Sequence, residues 1–133
     1  MPSTRKKPQQ TLEHLKTERI RQILAAYEIQ AAARAREPRN LPPFSKAAIL
    51  QTRRSREAPE WQAYMQSFRD LNPDELLELA AVFFVGQSRL RTLNGGLRMA
   101  RSFSEDRLVN HIAEKSNIND MVRCGLQKLG IPF

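Results

Sequence analysis

Cysteine is nearly absent from this sequence: Cys124 stands alone, so no disulfide can form within the chain and nothing implies an oxidising compartment. Histidine is almost as scarce. His14 and His111 are far apart and neither belongs to a metal-ligand spacing, so no metal site is expected. Glycine is sparse too, and its one cluster, Asn94-Gly95-Gly96, follows no strand and shows no phosphate-loop pattern, which makes a turn or broken helix a better reading than an anion-binding nest. Long apolar runs are missing. The longest, from Leu79 to Val85, falls well short of the roughly 20 residues that a membrane-spanning helix needs. The opening Met1-Pro2-Ser3-Thr4-Arg5-Lys6-Lys7 leads into no apolar stretch of signal length, so a cytoplasmic protein without membrane insertion is expected. Acidic pairs occur at Asp74-Glu75 and Glu105-Asp106, but both sit where helices should begin, and the positive end of the helix dipole accounts for them without glycosidase chemistry. With no nucleophile beside a base, the expectation is a protein that is not an enzyme, with no catalytic residue and no cofactor.

What the sequence does have is helical periodicity and an uneven charge. Its 133 residues suit one domain, large enough to bury a core without staples, plus an arm. Residues 1–57 hold 13 Lys and Arg against 5 Asp and Glu, a net +8, whereas residues 58–133 hold 9 of each and are neutral. A basic excess confined to one half points to an anionic partner such as nucleic acid, an acidic protein surface or a lipid headgroup surface, without choosing among them; nucleic acid or an acidic protein is the expectation.

The chain divides, on this reading, into a mobile basic tail over 1–10, a basic helical arm over 11–57 with a Pro-rich linker at 38–43, and a compact helical domain over 58–133. Thr11 can cap a helix that runs to about Glu37, where Pro38 stops it. After the linker, Phe44 precedes a capping Ser45 and Ile49 lies four places beyond it, the spacing of a hydrophobic staple at the start of a short helix. From Pro59, Trp61, Tyr64, Met65 and Phe68 share one helical face and predict core packing. Asn72-Pro73-Asp74-Glu75 combines a cap, proline in the first turn and acids at the dipole's positive end. The helix that follows has almost no polar face, so it should be the central one, ended by Gly86. Two further helices are expected from Ser104 and from Ser116 or Asn117, the second closed by Gly130 and Pro132. The fold class is therefore all-α: a small irregular helical bundle preceded by a long basic N-terminal helix and a Pro-rich linker.

The segment Leu71-Asn72-Pro73-Asp74-Glu75-Leu76-Leu77-Glu78-Leu79-Ala80-Ala81, the following Gly86 and the closing Asp120-Met121-Val122-Arg123-Cys124-Gly125-Leu126-Gln127-Lys128-Leu129-Gly130 carry a resemblance. From about Trp61 onward the chain resembles a bacterial family of small all-helical proteins known only as a domain of unknown function. Where that family tends to have arginine and glycine after the first glycine, this chain has Gln87-Ser88, and its basic first half has no counterpart there. The resemblance implies bacterial origin and an all-helical fold, and it supplies no catalytic residue.

The function expected from these observations is a binding or adaptor module whose basic half meets the anionic partner through Arg5, Lys6, Lys7, Arg34, Arg36, Arg53, Arg54 and Arg56. Arg53, Arg54 and Arg56 place three guanidiniums in four residues, enough to clamp phosphates or merely to hydrate a helix end. Two alternatives stand beside it. Residues 104–129 have the spacing of a helix-turn-helix DNA-binding regulator, although the pair is not basic. An enzyme would need a helical pocket near His111.

Overall fold

The computed structural model describes residues 10–37 and 41–133. The expected mobile tail, apart from Gln10, and residues 38–40 of the expected linker lie outside the described residues. Among the described residues the protein is all-α, with seven helices and no strand: α1 (Thr17–Arg34), α2 (Lys46–Glu57), α3 (Pro59–Arg69), α4 (Pro73–Gln87), α5 (Leu93–Ala100), α6 (Glu105–Ala113) and α7 (Ile118–Lys128). None of these helices is long and apolar enough to cross a membrane.

The chain forms two compact units, Met1–Thr17 with Asn72–Phe133 and Glu18–Leu71, whereas the sequence reading placed its division at 57/58. Among the described residues the first holds 9 Lys and Arg against 8 Asp and Glu, a net +1, and the second 9 against 6, a net +3. Among the described residues the charge excess thus falls mainly in the second unit, which contains α2.

In the first unit α4 is the core. Its start is set by a capping box: the Asn72 side chain accepts the Glu75 N–H at 2.8 Å and the Glu75 carboxylate accepts the Asn72 N–H at 3.0 Å. Every residue from Glu78 to Val85 is buried, and α5, α6 and α7 pack around it. This close packing depends on three glycines. A Cβ on Gly86 would overlap the Met121 carbonyl of α7, one on Gly125 would overlap the Val82 carbonyl of α4, and one on Gly96 of α5 would lie 2.5 Å from the Ala81 carbonyl oxygen of α4. Gly86 therefore does not end α4, as its neighbours suggested; the helix continues to Gln87 because the glycine serves the crossing with α7. Likewise Asn94-Gly95-Gly96 is not a break. It lies within α5, capped by Thr92 through the Gly95 N–H at 3.1 Å. At the far end, Gly130 adopts φ 71° and the Ile131 N–H reaches the Leu126 carbonyl at 2.9 Å, while Gly130 N–H reaches Gln127 O at 3.1 Å, a Schellman closure that needs glycine at this position.

The largest departure from expectation is at the N-terminus. α1 begins at Thr17 and not at Thr11, because the segment before it is held by a carboxylate. Glu78, 3 % exposed, accepts N–H groups from Glu13 at 2.8 Å, His14 at 2.8 Å and Leu15 at 2.7 Å. Charge-assisted bonds to a buried carboxylate are worth more than the additional helical turns forgone. Gln10 adds a second tie: its side-chain oxygen accepts the Leu93 N–H at 2.7 Å and its amide donates to the Arg91 carbonyl at 3.3 Å. Residues 10–15 are a strap on this unit.

In the second unit Tyr64 of α3 is fully buried at the centre of an aromatic group. Its ring meets Tyr27 of α1 at 5.6 Å, and Trp61 and Phe68 of its own helix at 5.5 and 5.1 Å, all edge-to-face. Burial, and next the charge of the neighbouring Tyr27, push the Tyr64 phenol up, so it stays neutral. The apolar spacing read for α3 is the spacing that fills this core.

Candidate functional site

The basic residues on α2 and at the end of α1 belong to one unit and are brought together by an acid. Ser45 caps α2 by accepting the Ala48 N–H at 3.1 Å. Along α2, Gln51 and Ser55 are one turn apart and face the turn after α1, where the Glu37 carboxylate accepts the Ser55 hydroxyl at 2.6 and 2.9 Å and the Gln51 amide at 3.4 Å. Ser55 is the one buried residue of the helix. With that face occupied, the remainder of α2 is turned to solvent and carries Lys46, Arg53, Arg54 and Arg56, all exposed.

Five of the eight residues expected at the site are among the described residues. Arg5, Lys6 and Lys7 lie outside the described residues. Arg34, in the last turn of α1, lies over the Trp61 ring with its guanidinium carbon 5.6 Å from the centroid, a cation–π contact that fixes it within the unit. Arg36 is exposed in the following turn, next to the Glu37 that holds α2. Arg53 and Arg54 form no ion pair among the described residues. Because successive helical residues diverge by roughly 100°, the guanidiniums of Arg53, Arg54 and Arg56 fan around the exposed side and do not converge on one point. They make a charged band, suited to a broad anionic surface more than to a single clamped phosphate.

A residue that the sequence reading assigned to packing is missing from the packing. Phe44 is 95 % exposed and adopts φ 60°, and Ile49 is 52 % exposed. The expected staple between them is not formed. The left-handed backbone turns the Phe44 side chain outward, at a cost for an L residue of roughly 1–2 kcal/mol. The sequence carries the signal, an aromatic directly after a Pro-rich linker and one place before a cap, but spacing alone predicts an inward contact.

The two alternative sites have different surroundings. α7 packs on α4 through Ile118, Val122, Gly125 and Leu126. Two of its exposed cations have local partners: the Lys128 ammonium donates to the Val85 and Ser88 carbonyls at 3.0 and 2.9 Å, and Arg123 lies 5.0 Å from the Phe133 ring centroid. The N–H groups that would form an anion nest around Gly95 are also engaged, Leu93 N–H by Gln10 and Gly95 N–H by Thr92.

His111 borders an open groove of about 630 Å³ lined by Ser102, Phe103, Arg107, Asn110, Glu114 and Lys115. Its ring packs against Phe84 at 5.6 Å and Phe103 at 5.3 Å, so an aromatic cluster accounts for its position. Burial, and secondarily Lys115, hold its pKa below the usual 6.5. The folded chain therefore binds fewer protons than the unfolded one just below that value, and stability falls as pH drops through it toward the lower folded pKa. Urea midpoints at pH about 7.5 and about 5.5 should show this loss in the wild type and a smaller one in His111→Phe; equal losses would remove His111 as its source.

Comparison with protein-family models, with curated proteins and with solved structures returns no match.

Proposed function

We propose that the protein is a non-enzymatic binding module of the cytoplasm whose basic α2 surface engages an anionic partner, with the α4-centred unit as a stable scaffold. The observation that carries this reading is the exposed band of Lys46, Arg53, Arg54 and Arg56 on a helix whose opposite side is tied down by Glu37. A helix held on one face and solvated on the other presents its charges on a backbone already ordered before contact. Arg36 would extend the same attraction and Arg5, Lys6 and Lys7 would add charge of their own, while Arg34, stacked on Trp61, contributes more to the fold of its own unit. The helix-turn-helix reading fits less well with an α7 committed to α4, and the enzyme reading less well with a histidine packed among phenylalanines. The resemblance of the region from about Trp61 to a bacterial family of unknown function bears on origin and leaves the partner open.

Arg53, Arg54 and Arg56 should be replaced together by Gln and both proteins titrated by fluorescence anisotropy against a labelled polyglutamate peptide and a labelled DNA duplex at several salt concentrations. The wild type should bind at low salt, more weakly as salt rises, and the triple variant should bind less with helical content unchanged. If all three arginines meet duplex phosphates, the slope of log affinity against log salt should flatten by up to about three. Unchanged affinity in the variant would remove α2 from the site.

A further inference from the structure

The charged band of α2 is interleaved with apolar side chains that the described residues leave about half exposed. Leu50 is 47 % exposed and Ile49 more so. Lys46, Ile49, Leu50 and Arg53 fall at i, i+3, i+4 and i+7, so they form one stripe on the face opposite Gln51 and Ser55. Just before the helix stands Phe44, nearly fully exposed on a left-handed backbone. A bulky residue kept in that conformation and facing water contributes nothing to the unit's own packing, and strain of this kind persists at ligand clamps, where it holds a group ready for contact.

We infer that Phe44, Ile49 and Leu50, together with Lys46 and Arg53, form a docking face for an acidic amphipathic helix of another protein, a partner whose leucine-like residues cover the apolar three and whose carboxylates meet the cations. The inference rests on the proposed anionic-partner reading and deepens it by naming the class of partner. The charge pattern selects this occupant. Nucleic acid answers the arginines, but its phosphates gain nothing from burying Ile49 and Leu50. A lipid surface needs a face free of charge to enter the acyl boundary, and here Lys46 and Arg53 lie inside the apolar stripe. A second copy of this chain would set the same cations against each other. A helix with acids flanking its apolar face satisfies both components, and its anchors match the aromatic and arginine groups that dominate interface energetics.

The test uses the full chain and a labelled synthetic peptide of Leu and Glu arranged to give one apolar helical face. A scrambled peptide of identical composition, polyglutamate, a DNA duplex and phosphatidylserine vesicles serve as comparisons. The amphipathic peptide should bind at least about ten-fold more tightly than its scramble. Phe44→Gly should lower that affinity by about ten-fold or more while leaving the melting temperature equal or higher, since glycine adopts positive φ without strain. Ile49→Asp should lower it as well, and Arg53→Gln should lower it with reduced salt dependence. Equal binding of the amphipathic and scrambled peptides, or undiminished binding by Phe44→Gly, overturns the docking face. So does binding to vesicles or duplex that Phe44→Gly abolishes when the peptide is not bound. If polyglutamate binding depends on Arg53, Arg54 and Arg56 but no peptide binding depends on Phe44, the anionic reading survives and this one fails. If no anionic probe binds at low salt, both fail.

Discussion

Gly125→Ala should destabilise the protein by about 3 kcal/mol or more, the upper range for overpacking, with a loss of cooperative thermal unfolding at physiological temperature if the margin is small. The direction is the informative part. In an exposed helix interior the same substitution would stabilise by about 1 kcal/mol, because alanine has the higher helix propensity. Here the added methyl meets the Val82 carbonyl and its carbon, which are main-chain atoms of α4 and cannot rotate away. The two helices would have to separate, and α4 carries the buried run from Leu79 to Val85 on which its unit depends. Gly86→Ala should act alike, since its Cβ meets the Met121 backbone from the other side of the same crossing. Gly95→Ala is the control. Its nearest neighbours are the Thr92 hydroxyl at 3.1 Å and the Leu90 methyl at 3.3 Å, side-chain atoms that can shift, so it should be near neutral. Denaturant unfolding of the three variants checks the ordering, and a Gly125→Ala protein as stable as wild type would mean that α4 and α7 do not cross this closely.

The sequence predicts the helices around these glycines but not the glycines' role, because the two kinds of information lie in different places. The cap at Asn72, the aromatic spacing of α3 and the apolar period of α7 are local patterns, and each predicts an element that is present. Gly86 and Gly96 carry the same local signature as helix terminators. Only the neighbouring helix reveals that they exist for close approach, and that neighbour lies tens of residues away in sequence for the Gly86–Met121 crossing. Phe44 shows the same limit. Its spacing to Ile49 is right for a staple, but the positive φ that turns it outward is a property of the backbone preceding α2, not of the spacing. For the candidate site, the basic residue types and their position on α2 were legible. Their fan-shaped exposure, the anchoring of Arg34 on Trp61 and the apolar side chains set among them were not, because these depend on which face of α2 Glu37 holds.

The strap is the feature least visible beforehand. Glu78 sits in an apolar run, and a single acid between leucines was the one available sign that the helix must meet donors. Glu78→Ala should leave the Glu13, His14 and Leu15 N–H groups without their acceptor and cost about 3 kcal/mol, the sum expected when charge-assisted bonds are lost and some of the donors stay shielded from water. Glu78→Gln should recover only part of this, because its amide nitrogen cannot accept while both carboxylate oxygens are used in the wild type. The loss should be spatially confined. Hydrogen exchange at residues 13–15 should accelerate strongly, since these amides are protected by Glu78 and not by a helical ladder, and the amides of α4 and α7 should respond much less. Gln10→Ala should speed exchange at Leu93 with a smaller effect on stability, as it removes neutral hydrogen bonds at a more exposed position. Because Arg5, Lys6 and Lys7 precede the strap in sequence, releasing it also distinguishes two candidate sources of the proposed anion affinity. If α2 alone carries binding, Glu78→Ala should leave the affinity for polyglutamate unchanged under conditions where the variant remains folded. A fall in affinity without a change in the exchange of α2 amides would instead assign part of the binding to the residues that precede the strap.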